Sequence, residues 1–173
     1  MNKFLKYNQR EPAEGDKKIS YSQFAMYSTC PKHWELAYAK NLRTFNQSIH
    51  TIFGTAMHET LQHYLDVMYK HTIQKADEID LPKFLQKALI TEFKKAEESD
   101  GKPPCTKEQM NEFFQDGIDI LDFFKKKRGE YFSKNGWELV GIETPINVEI
   151  KDNLSIIGFL DIVMHDKIGN RIK

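Results

Sequence analysis

Apolar residues recur along most of this chain at steps of three and four, the period of helices buried on one side. Met57, Leu61, Tyr64, Leu65 and Met68 share one face of a helix that Gly54-Thr55 opens. Phe84, Leu85, Ala88, Leu89 and Phe93 repeat the pattern between Leu81 and Glu98, and Gly101-Lys-Pro-Pro104 breaks it. From Thr106 a long helix carries Met110, Phe113, Phe114, Ile118, Leu121, Phe124, Tyr131 and Phe132 on one stripe. Upstream, Ser20 or Ser22 caps a short helix through Phe24 and Tyr27, interrupted near Cys30-Pro31. A further helix from about Pro31 takes in Trp34, Leu36, Ala37 and Tyr38, since proline suits a first turn.

After Gly136 the period shortens to two. Ile146, Val148 and Ile150 alternate with Asn147 and Glu149 as in a half-buried strand. Lys151-Asp-Asn153 supplies a turn, Leu154 to Met164 a second, largely buried strand, and His165 to Asn170 another turn. A third strand is therefore expected at about Arg171. Because a two-stranded hairpin alone is marginal, the chain is expected to stop inside a sheet, as a fragment would. Helices followed by strands give an α/β class, α+β by content.

Composition narrows the picture. The 173 residues suit one domain with a sizeable core. No run approaches the roughly 18 apolar residues of a membrane span, and the start lacks a secretory apolar stretch. Two cysteines, Cys30 and Cys105, are too few for a disulfide framework, which favours a reducing, cytoplasmic setting. The 25 Lys and Arg balance the 25 Asp and Glu, which excludes a bulk polycation but not a local basic groove. Residues 1–45 hold eight basic and four acidic side chains, so positive charge gathers there. Within them, residues 1–18 read as a mobile lead-in, without apolar periodicity over residues 8–18.

Candidate chemistry is sparse. His58-Glu59-Thr-Leu-Gln-His63 is one residue too long for the zinc-protease pattern; a separation of five puts the histidines about 140° apart on a helix. His58 itself lies at the edge of the buried stripe, as a core-edge histidine with a satisfied hydrogen bond or as a ligand. Asp161 alternates with Ile157 and Phe159, so its carboxylate is expected on an inward face, bonded to a loop backbone or to a cation. Gly158 before it permits close approach of a backbone or ligand. Glu143, at the head of the first strand beside Pro145, reads first as a solvated carboxylate. Asp16-Lys18, Glu92-Lys94, Asp100-Lys102 and Glu149-Lys151 all fit acid-x-Lys, so that triplet means nothing without context. For nucleic acid, Lys17, Lys18, Lys32, Lys40 and Arg43 stand among Tyr21, Phe24, Tyr27, Trp34 and Tyr38, and Lys125 to Arg128 is a dense basic run. Phosphate contacts with aromatic platforms would suit single strands, with Tyr21, Ser22, Tyr27 and Lys32 the named candidates; helical aromatics as core and lysines as a solvated face remain the plainer alternatives. No phosphate-cradling glycine loop occurs.

In order, these pieces resemble RecB-type nuclease domains of the PD-(D/E)XK superfamily. Ile19-Ser-Tyr-Ser-Gln-Phe24, then Tyr27-Ser-Thr-Cys-Pro31 and Trp34, resembles their opening. Phe53-Gly-Thr-Ala-Met-His58-Glu59 resembles their Gly-Thr-x-x-His motif, and Glu143 with Ile157-Gly-Phe-Leu-Asp161 their strand pair with Gly-x-x-Asp. The resemblance implies a single nuclease domain over residues 19–173, helix-rich in its N-terminal part and packed on a small mixed sheet of the restriction-endonuclease-like type, with residues 76–134 as a helical insertion. It implies His58 and Asp161 as catalytic metal ligands for Mg²⁺ or Mn²⁺, Glu143 as an accessory carboxylate, and exonuclease-like hydrolysis of DNA, single-stranded or at ends. The setting implied is recombination, repair or phage DNA metabolism in a bacterial or phage-infected cell, with a helicase or recombinase as a partner. The family's Asp/Glu-x-Lys belongs on the next strand, where Arg171-Ile-Lys173 has no acid at its first position. Residues 1–173 alone are therefore expected to be inactive, and a non-catalytic DNA-binding or protein-interaction module of the same fold is the alternative. Some relatives bind an iron–sulfur cluster through one early and three late cysteines. Cys30 matches the early one and Cys105 none, so Cys30 is read as a packed small hydrophobe, with a cluster ligand as the other reading.

Overall fold

The computed structural model describes residues 17–42 and 47–173, so Arg43 and the lead-in up to residue 16 lie outside the described residues. The chain divides into two compact units, Met1–Thr44 with Leu139–Lys173, and Phe45–Glu138.

The first unit is built on a sheet. It holds β1 (Lys17–Ser20), α1 (Tyr21–Thr29), α2 (Pro31–Trp34), which runs on into a π-helical turn at Glu35–Ala39, then all but the first two residues of β2 (Trp137–Lys151), β3 (Leu154–Asp166) and β4 (Arg171–Ile172). The order is β1-β3-β2, with β4 also on β3. β1 runs parallel to β3 from Lys17 opposite Leu154 to Ser20 opposite Ile157, whereas β4 runs antiparallel. The small mixed sheet agrees with the expected α/β class. β1 itself was not legible: Lys17 and Lys18, read with the lead-in, pair in the sheet instead. Lys-Lys-Ile-Ser is too short for alternation to show, and the partner that makes it a strand lies over 130 residues away.

Of the two candidate caps, Ser20 is used: its Oγ accepts the Gln23 N–H at 3.2 Å, so the chain turns from strand to helix at one residue. Cys30 then caps α2, its Sγ accepting the His33 N–H at 3.4 Å. That thiol is exposed, which overturns its reading as a packed hydrophobe. β2 starts at Trp137, well before the alternating residues, so Glu143 lies inside the strand rather than at its head.

β4 is fastened by one carboxylate. Asp166, buried, accepts N–H bonds from Gly169 at 2.9 Å and Ile168 at 3.0 Å, and the Arg171 guanidinium at 3.1 Å. The Gly169 N–H foremost, then Arg171, holds the Asp166 carboxyl below its ordinary range. A lowered folded value contributes stability that is complete above the unfolded value of about 3.9 and is lost as pH falls through the folded one. The Gly169 amide resonance should therefore titrate with a midpoint below about 3.9, and Asp166→Asn should abolish that titration. A midpoint at or above the free-aspartate value would refute the anchoring.

The second unit is helical: α3 (Ile49–Lys70), α4 (Ile73–Asp77), α5 (Leu81–Asp100) and α6 (Lys107–Tyr131). α3 begins at Ile49 rather than Gly54, because buried Ile49 and Ile52 extend the stripe of Met57, Tyr64, Leu65 and Met68 backwards. Leu81, Leu85, Ala88, Leu89 and Ala96 form the covered face of α5, which ends at left-handed Gly101. Thr106 and Gln109 form a reciprocal capping box at the start of α6. Buried Gly117 lets α6 approach closely: a Cβ there would lie 2.5 Å from Leu85 Cδ2 and 3.2 Å from Phe53 Cε2. Along the α6 stripe Leu121 is buried, while Tyr131 points outward because the helix ends there.

Arg128, the last residue of the basic run, is not a free cation on a solvated face. Its Nη2 donates to Asp77 Oδ2 at 2.8 Å, and it lies 5.9 Å over the Tyr64 ring. No helix among the described residues is long and apolar enough to cross a membrane.

Candidate metal centre

Two carboxylates come together on neighbouring strands of the first unit. Glu143 on β2 and Asp161 on β3 each place an oxygen within 4.8 Å of the other, and both side chains are exposed. The backbone at Glu143 explains how. Its φ of +48° puts a non-glycine residue in the left-handed region in the middle of a long strand. That conformation costs roughly 1–2 kcal/mol for an L-residue and kinks the strand, re-aiming the side chain as β-bulges do. Flanking residues pack closely around it. Thr144 is buried, and a Cβ on Gly141 would run into the Thr144 hydroxyl, so only glycine fits there. The sequence signal was Gly-Ile-Glu-Thr-Pro itself, whose glycine and proline bracket the kink.

Asp161 corrects an expectation. Alternation with Ile157 and Phe159 was to place it on an inward face, but Asp161 and Phe159 are exposed, Phe159 at 67%. Alternation tells which residues share a face, not which face is covered. The covered positions of β3 are Ser155, Val163, Met164 and Asp166. Gly158 is uncrowded: a Cβ there would meet Ile146 at 3.7 Å, an ordinary contact.

The remaining candidates are distributed as follows. His58 lies on α3 of the second unit beside buried Met57, and its Nε2 lies 2.9 Å from Gln62 Nε2, one helical turn on. As placed, the amide donates to the ring and the proton sits on Nδ1; turned over, its oxygen would accept from Nε2–H and the lone pair would sit on Nδ1. His63 stacks on Phe84 at 4.6 Å, which removes it from any joint role with His58. Tyr21, Ser22, Tyr27 and Lys32 are exposed in the first unit, so the reading of these aromatics as core is overturned. Lys32 pairs with Glu35 at 2.8 Å. Cys30 and Cys105 belong to different units; burial raises the Cys105 thiol pKa. Glu149-Lys151 lies on β2, ahead of Asp161, and not on a strand following it.

The donor set suits a hard divalent cation. Carboxylate oxygens are the ligands Mg²⁺ and Mn²⁺ prefer, two such oxygens bound to one ion at about 2.1 Å lie at most some 4.2 Å apart, and the pair here lies within 4.8 Å. A family model described as the PD-(D/E)XK nuclease superfamily matches residues 18–172. No curated protein and no solved structure matches the chain significantly.

Proposed function

Because the chain belongs to the PD-(D/E)XK nuclease superfamily, we propose that it serves metal-dependent hydrolysis of phosphodiester bonds in DNA, with Asp161 and Glu143 holding the cation and His58 as a further ligand. The observation that carries this reading is the pair of carboxylate oxygens within 4.8 Å on adjacent strands. When bound, Mg²⁺ or Mn²⁺ supplies Lewis-acid polarisation of a phosphate oxygen and offsets the charge that builds up on it. The protein's part is orientation. The kinked backbone aims Glu143, strand β3 carries Asp161, and the Gln62 amide, turned so that its oxygen accepts the Nε2–H, would leave the lone pair of His58 on Nδ1 for the ion. The narrower assignment, a RecB-like exonuclease acting on DNA ends in recombination, repair or phage DNA metabolism alongside a helicase or recombinase, rests on the order of four motifs.

A second reading has its own observation. β4 opens on Arg171, whose guanidinium is engaged with Asp166, so residues 171–173 bring no acid to the pair. A DNA-binding or protein-interaction module that keeps the fold would look the same. The two separate by experiment. Residues 1–173 should bind Mn²⁺, displaceable by Mg²⁺, yet leave single- and double-stranded DNA uncut; a chain lengthened past Lys173 to carry an Asp/Glu-x-Lys strand should cut. DNA binding without cleavage in the lengthened chain would favour the module. Robust metal-dependent cleavage that His58→Ala or Asp161→Ala leaves intact would sink the site assignment.

A further inference from the structure

α1 turns its large rings outward. None of its nine residues is buried. Gln23, Ala25 and Met26 are half-covered, whereas Tyr21 is 74% exposed, Phe24 52% and Tyr27 53%. Positions 21, 24 and 27 lie about 4.5 Å apart along the helix axis and within one side of it. The aromatic row continues past the helix end: the Trp34 ring meets Tyr27 edge-on at 5.6 Å, and Tyr38 stacks on Trp34 at 6.3 Å.

Charge runs with the rings. No acidic residue stands between Lys17 and Lys32, and both Lys17 and Lys18, at the foot of α1, are exposed. The first acid after them, Glu35, is held between Lys32 at 2.8 Å and Lys40 at 2.9 Å, and these lysines keep its carboxyl below the ordinary range. Residues 17–40 therefore combine ring faces with positive charge, and their one carboxylate, Glu35, is paired.

We propose that this face of α1 is a base-stacking platform for single-stranded DNA, with Tyr21, Phe24 and Tyr27 under successive bases and Lys17, Lys18 and Lys32 along the phosphates. The proposal rests on the reading of DNA as substrate and names the form of it the chain holds. Single strands offer both an anionic backbone and open base faces, which is what exposed rings with flanking lysines can use. A duplex keeps its base faces stacked and would engage the lysines alone. An apolar protein surface would cover the rings and leave the lysines without counter-charge.

Fluorescence anisotropy on residues 1–173, with a labelled oligothymidine and a duplex of equal length in chelator, tests this. Tyr21→Ala, Phe24→Ala and Tyr27→Ala should each weaken single-strand binding about fivefold or more, the triple variant over 100-fold, and Tyr21→Phe less than twofold. Duplex binding should change less than twofold throughout. Because the three rings are exposed, the variants should keep the wild-type circular dichroism spectrum, which separates lost binding from lost folding. Single-strand affinity unchanged in the triple variant, or single-strand and duplex affinity falling together, would overturn the platform. Mn²⁺ titration of the same proteins reads the carboxylate pair separately. Wild-type chain that binds single strands but no Mn²⁺ would overturn the metal-site reading and leave the platform standing.

Discussion

Asp161→Ala should lower Mn²⁺ affinity about 100-fold or more, since even residues that merely orient a metal ligand cost 10–100-fold when removed. The exposed position makes the experiment clean: Asp161 supports no buried packing, so the variant should keep the stability of the parent. Glu143 gives a companion with opposite signs. Its left-handed backbone is strained, and glycine adopts that conformation freely, so Glu143→Gly should raise stability by about 1 kcal/mol while Mn²⁺ affinity falls. Gly141→Ala acts without touching a ligand. The added methyl collides with the Thr144 hydroxyl, shifts the kink, and should weaken Mn²⁺ binding through misplacement of Glu143. Titration calorimetry with thermal unfolding in chelator reads both quantities. Glu143→Gly binding Mn²⁺ as tightly as the parent would show that the strained carboxylate serves something other than a cation.

Tyr64→Ala should destabilise the helical unit by roughly 3–5 kcal/mol, the cost of emptying a large buried aromatic site. Tyr64 is fully buried on α3 and ties three elements together. Phe124 of α6 packs edge-on against it at 5.3 Å, and its O–H donates to Asp77 Oδ1 of α4 at 2.7 Å. Asp77 Oδ2 in turn accepts Arg128 of α6. Burial first, and the bond to Asp77 second, raise the phenol's pKa well above its ordinary value, so the hydroxyl stays protonated and donating. Tyr64→Phe keeps the ring and removes only the donor to a carboxylate, which should cost about 1–2 kcal/mol. Urea unfolding of the three proteins separates packing from the polar link. A loss under 1 kcal/mol in Tyr64→Ala would mean the three elements are held by other contacts.

How much of this could be read beforehand divides along physical lines. Helix faces were legible because a covered stripe imposes its period on the sequence: the Met57 to Met68 series and the Leu81 to Phe93 series reappear as the covered sides of α3 and α5. Turns and caps were legible because their chemistry is local, as at Gly101, Thr106 and Ser20. β1 was not, since a four-residue strand is made by its distant partner. Neither was the direction of Asp161, nor the exposure of Tyr21, Phe24 and Tyr27, because periodicity groups residues on a face and says nothing about what covers it. Arg128 shows the same limit: a run of four basic residues marks charge, and only folding supplied Asp77 and the Tyr64 ring as its neighbours.

By itself, then, the sequence determined most of the elements and their order, β1 and α4 excepted, and supplied the candidate residues for chemistry, because period and residue type are local properties. The tertiary structure alone decided that Glu143 and Asp161 converge, by a left-handed kink paired against a neighbouring strand, and that the aromatic row faces outward. Both depend on contacts between segments far apart in the chain, which no local pattern encodes.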